Sequence, residues 1–140
     1  MFWRRRFYKS PFKKVDAGKK ECLIRHKGQI NVRQLTIRYN ANDTTGSLYC
    51  VLTIMIDGEQ IINESFEDLY QYFCNGYASK DLAAPFVFRV YNSSAKDFAI
   101  MFLDLGTVKE NIEVWFENVD TENYVFMRAA MIYDVYEEGK

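Results

Sequence analysis

Histidine is nearly absent from this 140-residue chain: His26 is the only one, so any Ser-His-Asp or Cys-His relay would have to be built around it. It falls in an expected strand just after a basic segment, where a structural or surface role is the expectation. Cysteine is sparse too. Cys22, Cys50 and Cys74 are odd in number, far apart and without a CxxC pair, which argues against a disulfide framework and against zinc-ligand spacing. They read as small buried hydrophobes in a reducing compartment. Neither a phosphate-binding glycine loop nor a dinucleotide fingerprint occurs. The longest apolar runs, such as Phe98 to Leu103, are far below membrane-spanning length, so no transmembrane span is expected. Met1 to Pro11 carries charge where a signal peptide needs an apolar core, so no secretion signal is read. Internal repeats and low-complexity linkers are also missing.

The carboxylates do not fill the gap. Glu64, Glu67 and Asp68 lie near an expected helix start, where negative charge complements the dipole, and Asp57 and Glu59 flank a turn glycine. The expectation is no enzyme, no metal and no cofactor. Function should lie in surfaces instead. What is abundant fits that: aromatic residues make up 16% of the chain, a level that favours an all-β protein or one with extensive contact surfaces.

Charge is abundant but segregated. Residues 1–20 hold eight basic side chains and one acid, Asp16, a net +7; the whole chain carries −1, so residues 21–140 carry −8. Residues 1–20 therefore read as a basic arm on an acidic body. Phe2, Trp3, Phe7, Tyr8 and Phe12 interleave with the basic residues without a clean period. The arm is either a frayed terminus or a contact segment for an anionic surface. In the second case the contact residues are Trp3, Arg4, Arg5, Arg6, Phe7, Tyr8, Lys9, Lys13 and Lys14. Membrane, nucleic acid and acidic neighbouring subunits remain open as partners, although rings beside cations suit headgroup level.

Residues 21–140 read as one domain. Leu48 to Ile56 is rich in β-branched and large apolar residues, Asp57-Gly58 supplies positive φ for a two-residue hairpin, and Ile61 and Ile62 restart the pattern. Ser65 then offers an N-cap hydroxyl with Asp68 at the third helical position, and Asn75-Gly76 supplies the stop. One short helix over about Phe66 to Asn75 is expected. Further strands are expected at Glu21–Lys27, Asn31–Asn40, Phe86–Tyr91, Asp97–Leu103, Asn111–Asn118 and Asn123–Tyr136, with loops over Asn40–Ser47 and Ala78–Pro85. Eight strands and one helix give an all-β fold, an eight-stranded single jelly-roll sandwich with a basic N-terminal arm. The expected core draws on Leu35, Ile37, Val51, Ile54, Ile56, Phe88, Val114 and Phe116.

The order of these motifs carries a resemblance. An apolar strand leads into Ile-Asp-Gly-x-x-Ile at Ile56 to Ile61, a short helix with Asp68-Leu69 and an aromatic strand at Phe86-Val87-Phe88. Met101 to Leu105 with Gly106-Thr107, the acidic-aromatic Ile112 to Phe116 and a last strand with Met127 to Ala130 follow. Over roughly Val32 to Tyr136 this resembles the jelly-roll coat proteins of tailless, membrane-containing icosahedral bacteriophages, the corticovirus-like group. The resemblance implies a structural capsid protein, made in the host cytoplasm and resident in the virion. Such a subunit assembles laterally with other capsid subunits around an internal viral membrane. The group's major coat protein has two rolls in tandem and this chain has length for one, so a single-roll coat, minor or vertex subunit is the implied role. Jelly rolls also serve as carbohydrate- or ligand-binding modules, which is the alternative.

Overall fold

The computed structural model describes residues 2–41, 48–74, 76 and 86–137. These form ten strands: β1 (Phe2–Lys9), β2 (Lys13–Val15), β3 (Lys20–Lys27), β4 (Ile30–Ala41), β5 (Val51–Ile56), β6 (Glu59–Ser65), β7 (Phe86–Asn92), β8 (Asp97–Val108), β9 (Asn111–Glu117) and β10 (Val125–Glu137). All pairing is antiparallel. One sheet runs β1-β10-β4-β8-β7, with β2 also on β10, and the other runs β3-β9-β5-β6. Only β5–β6 and β7–β8 are hairpins between sequence neighbours; every link from β2 to β5, from β6 to β7 and from β8 to β10 changes sheet. The result is an all-β sandwich.

The strand count corrects the expected eight. The eight strands read from the sequence correspond to β3–β10, and the two additional ones lie in residues 1–20. Their alternation of aromatic and basic side chains has no apolar face, so nothing in the pattern marks a half-buried strand. They form because β10, at 13 residues, offers a long edge that β1 and β2 share end to end. Of the expected loop over Asn40–Ser47, Asn40 and Ala41 instead end β4, while its remainder, the expected loop over Ala78–Pro85 and Asn75 of the helix stop lie outside the described residues.

The hairpin and helix follow local chemistry. Asp57 and Gly58 take φ of 53° and 78°, the doubly left-handed turn that matches strand twist. The Asp57 carboxylate also accepts the backbone N–H groups of Lys109, Glu110 and Asn111, tying this turn to the one joining β8 and β9. Those three donors hold the Asp57 carboxyl below its ordinary pKa. Ser65 Oγ accepts from the Asp68 backbone N–H at 3.1 Å and caps a single α-helical turn, α1 (Phe66–Asp68), which continues as a π-helical turn over Leu69–Phe73. Gly76, at φ 70°, donates its N–H to the Tyr70 carbonyl and closes the turn.

Between the sheets, alternate residues interlock. Val32, Leu35, Ile37 and Tyr39 of β4 face Ile112, Val114 and Phe116 of β9 in one apolar cluster. Tyr39 is the hub of an aromatic group, with Phe66, Phe98 and Phe116 at centroid distances of 5.3, 5.1 and 5.7 Å. Leu35, Ile37, Ile54, Phe88, Val114 and Phe116 are buried as expected. Val51 is not: Leu52 and Ile54 hold the inner face of β5, so Val51 is half-buried on the outer one. Ile56 packs against the core while partly exposed. In β3 a bulge between Cys22 and Ile24 buries both Leu23 and Ile24.

Candidate functional site

β1 is an edge strand, paired to β10 on one side only among the described residues. Every side chain from Trp3 to Lys9 is exposed, so the four-stranded sheet covers neither face of this strand. The six-stranded sheet thus extends past its partner and presents a basic, aromatic rim.

Residues 3–15 are pinned to the body at four places. Trp3 packs edge to face on its cross-strand partner Tyr136 at 5.0 Å. Arg5 lies directly opposite Asp134 and bonds it at 2.9 Å, while Arg33 of β4 bonds the other carboxylate oxygen at 2.7 Å. The two guanidinium groups, Arg5 first, hold the Asp134 carboxyl below its ordinary pKa. At the corner after β1, buried Ser10 accepts the Ala129 N–H through Oγ and donates its own N–H to the Ala129 carbonyl, both at 2.8 Å. Val15 of β2 is fully buried, and fully buried Asn118 donates to the Val15 and Asn123 carbonyls at 3.0 and 2.9 Å.

The other residues singled out in residues 1–20 fall in three groups. Arg4 and Arg6 are exposed on the strand face opposite Arg5. Phe7 is 76% exposed and Tyr8 39%, and Lys9 closes the strand opposite Ala130. Lys13 donates to the Cys22 carbonyl at 3.0 Å with Glu21 at 4.0 Å, and Lys14 reaches Asp16 at 3.9 Å and sits over the Tyr124 ring. The structure therefore brings Trp3, Arg5, Phe7 and Lys9 to one face of the rim and turns Arg4, Arg6 and Tyr8 to the other.

Sequence reasoning missed Ser10, Arg33, Asn118 and Asp134. Their roles depend on partners 119, 101, 103 and 129 positions away, which no local pattern reveals. Phe12, 58% exposed, stacks on Phe126 at 5.1 Å and extends the aromatic row beyond Lys9.

Elsewhere the reactive groups are quiet. Burial pushes the Cys22, Cys50 and Cys74 thiols up, away from the reactive thiolate. His26 packs edge to face on Tyr133 at 5.1 Å, and burial lowers its pKa. Among the described residues, no three His, Cys, Asp or Glu side chains gather as a metal site would need. Nor is any helix among them long and apolar enough to cross a membrane.

Comparison of the sequence with protein-family models and with curated proteins finds no match. Among solved structures, T=1 particles derived from infectious bursal virus align at a TM-score of 0.26 and 11% identity, over 96% of this chain and 41% of that one. The Gx strain of infectious bursal disease virus aligns at 0.24 and 12%, and the Gt strain at 0.24 and 11%, each over 96% of this chain. The chain spans about two fifths of the length of the structures it aligns with.

Proposed function

We propose that this chain is a structural capsid protein, a single β-sandwich building block of an icosahedral viral shell that assembles through lateral contacts with other capsid subunits. The observation that carries the reading is the rim: an eight-residue strand that pairs with β10 alone among the described strands, with Trp3, Phe7 and Tyr8 exposed. An edge strand of this length invites pairing with another chain, and natural monomers blunt such edges. Its cations limit unspecific pairing while suiting the acidic body of a neighbour, residues 21–140 carrying −8. The motif order over Val32 to Tyr136 supports a coat, minor or vertex role in a corticovirus-like bacteriophage. The protein has no catalytic part in this reading. It is made in the host cytoplasm and resides in the virion, with internal membrane or nucleic acid as further partners of the basic rim.

Light scattering across a concentration and salt series tests this. The chain should form assemblies well above monomer mass, and deleting residues 1–14 should abolish them. Phe7→Ser, on an exposed position that leaves the core intact, should weaken them with an unchanged circular dichroism spectrum. A strict monomer at every concentration and ionic strength overturns the capsid reading.

A further inference from the structure

The outer face of the six-stranded sheet carries a cleft of about 670 Å³ beside the rim, within the size range of small-ligand sites at roughly 300–1,000 Å³. Its floor is made low by small residues. Lys9, Ala130, Thr36, Met101 and Val87 form one cross-strand row, and Arg128, Arg38, Ala99 and Val90 form the next. Ala130 and Ala99 leave a depression that larger side chains would fill, and the Ser10–Phe12 corner walls one end.

The charges around this depression are unusual. Arg128 and Arg38 stand directly opposite each other, a like-charge pair that destabilises a sheet. Arg38 is neutralised by a two-point bond to Asp97 at 2.9 and 2.8 Å. Among the described residues Arg128 has only the Phe12 ring, 5.9 Å away, and Arg89 and Lys9 form no ion pair. Among the described residues, four cations against one carboxylate leave a net +3 around an alanine floor.

We infer that this cleft binds a small amphiphilic anion, a phosphate-type head group on a compact apolar body. The head group would sit among Arg89, Arg128 and Lys9, where a guanidinium fork matches oxyanion geometry. The apolar body would lie on Ala99, Ala130 and Met101 against the Phe12 ring. Both halves are needed: the cations supply charge complementarity, and the floor supplies burial that plain phosphate cannot use. The inference does not depend on how subunits assemble.

The test is an NMR titration of the full chain with 1-naphthyl phosphate, using inorganic phosphate and 1-naphthol as the separate halves. 1-Naphthyl phosphate should bind at least about tenfold tighter than either half, with shifts centred on the Ala99 and Ala130 amides. Arg89→Gln and Arg128→Gln should each weaken it about tenfold, and Ala130→Leu, which fills the floor, should do the same with the fold intact. Arg25→Gln on the other sheet should change nothing. Inorganic phosphate binding as tightly would reduce the cleft to a plain anion patch and overturn the inference, as would equal binding of 1-naphthol. Binding confined to anionic vesicles, or a change in oligomeric state alone in the arginine variants, would also overturn it, marking the face as a membrane or subunit surface.

Discussion

Replacing Phe66 tests the join between helix and sandwich. Phe66 is the first residue of α1, fully buried, with Tyr39, Phe116 and Phe98 rings at 5.3, 5.9 and 6.0 Å. Its N–H donates to the Cys50 carbonyl, so the backbone is held and cannot collapse freely into a vacated space. Phe66→Ala should cost about 3–5 kcal/mol, the range for a large buried ring whose cavity persists. Phe66→Leu keeps most of the apolar burial and loses mainly ring–ring geometry, at roughly 0.5–1.5 kcal/mol per pair, non-additively, so about 1–2 kcal/mol in all. Urea unfolding followed by tryptophan fluorescence measures both. With a slope of about 2 kcal/mol per M, the Ala variant's midpoint should drop by roughly 2 M and the Leu variant's by under 1 M. A Leu variant as stable as the parent would refute the ring contacts as a source of stability, equal losses for Ala and Leu would refute the cavity argument, and a loss under about 1 kcal/mol for Ala would refute the burial of Phe66.

Ser65→Ala removes the hydroxyl that caps α1 and should cost about 1 kcal/mol by the same assay, while Ser65→Asp should restore most of it. Asn118→Ala strands the buried Val15 carbonyl and should cost roughly 1–3 kcal/mol, with the β2 amides losing hydrogen-exchange protection first. Asp134 and Asp57 are held below their unfolded pKa of about 4, so their stabilisation is complete above that value and lost as pH falls through the lower folded values. A denaturation series from pH 6 to 2 should therefore show falling stability, and Asp134→Asn should flatten that slope; an unchanged slope would remove Asp134 as a contributor.

The hairpin and capped helix were written locally. Asp57-Gly58 demands its turn because few dipeptides tolerate two left-handed residues, and Ser65 caps because its hydroxyl reaches the N–H three residues on. The eight body strands were legible for a similar reason, since one buried face imposes a period of two. The register of β5 was not. Val51, Ile54 and Ile56 are alike in hydrophobicity, and only packing against the other sheet decided that Leu52 and Ile54 face inward. Residues 1–20 show the sharper divide. Their composition determined a basic, aromatic surface whatever the fold, because charge needs no partner to be counted. That the same residues are strands was decided by β10, Asp134, Ser10 and Asn118. The cleft likewise exists only because Arg38, Arg89, Arg128, Ala99 and Ala130, drawn from four strands, meet on one face; backbone pairing between distant segments, not sequence order, sets who stands beside whom.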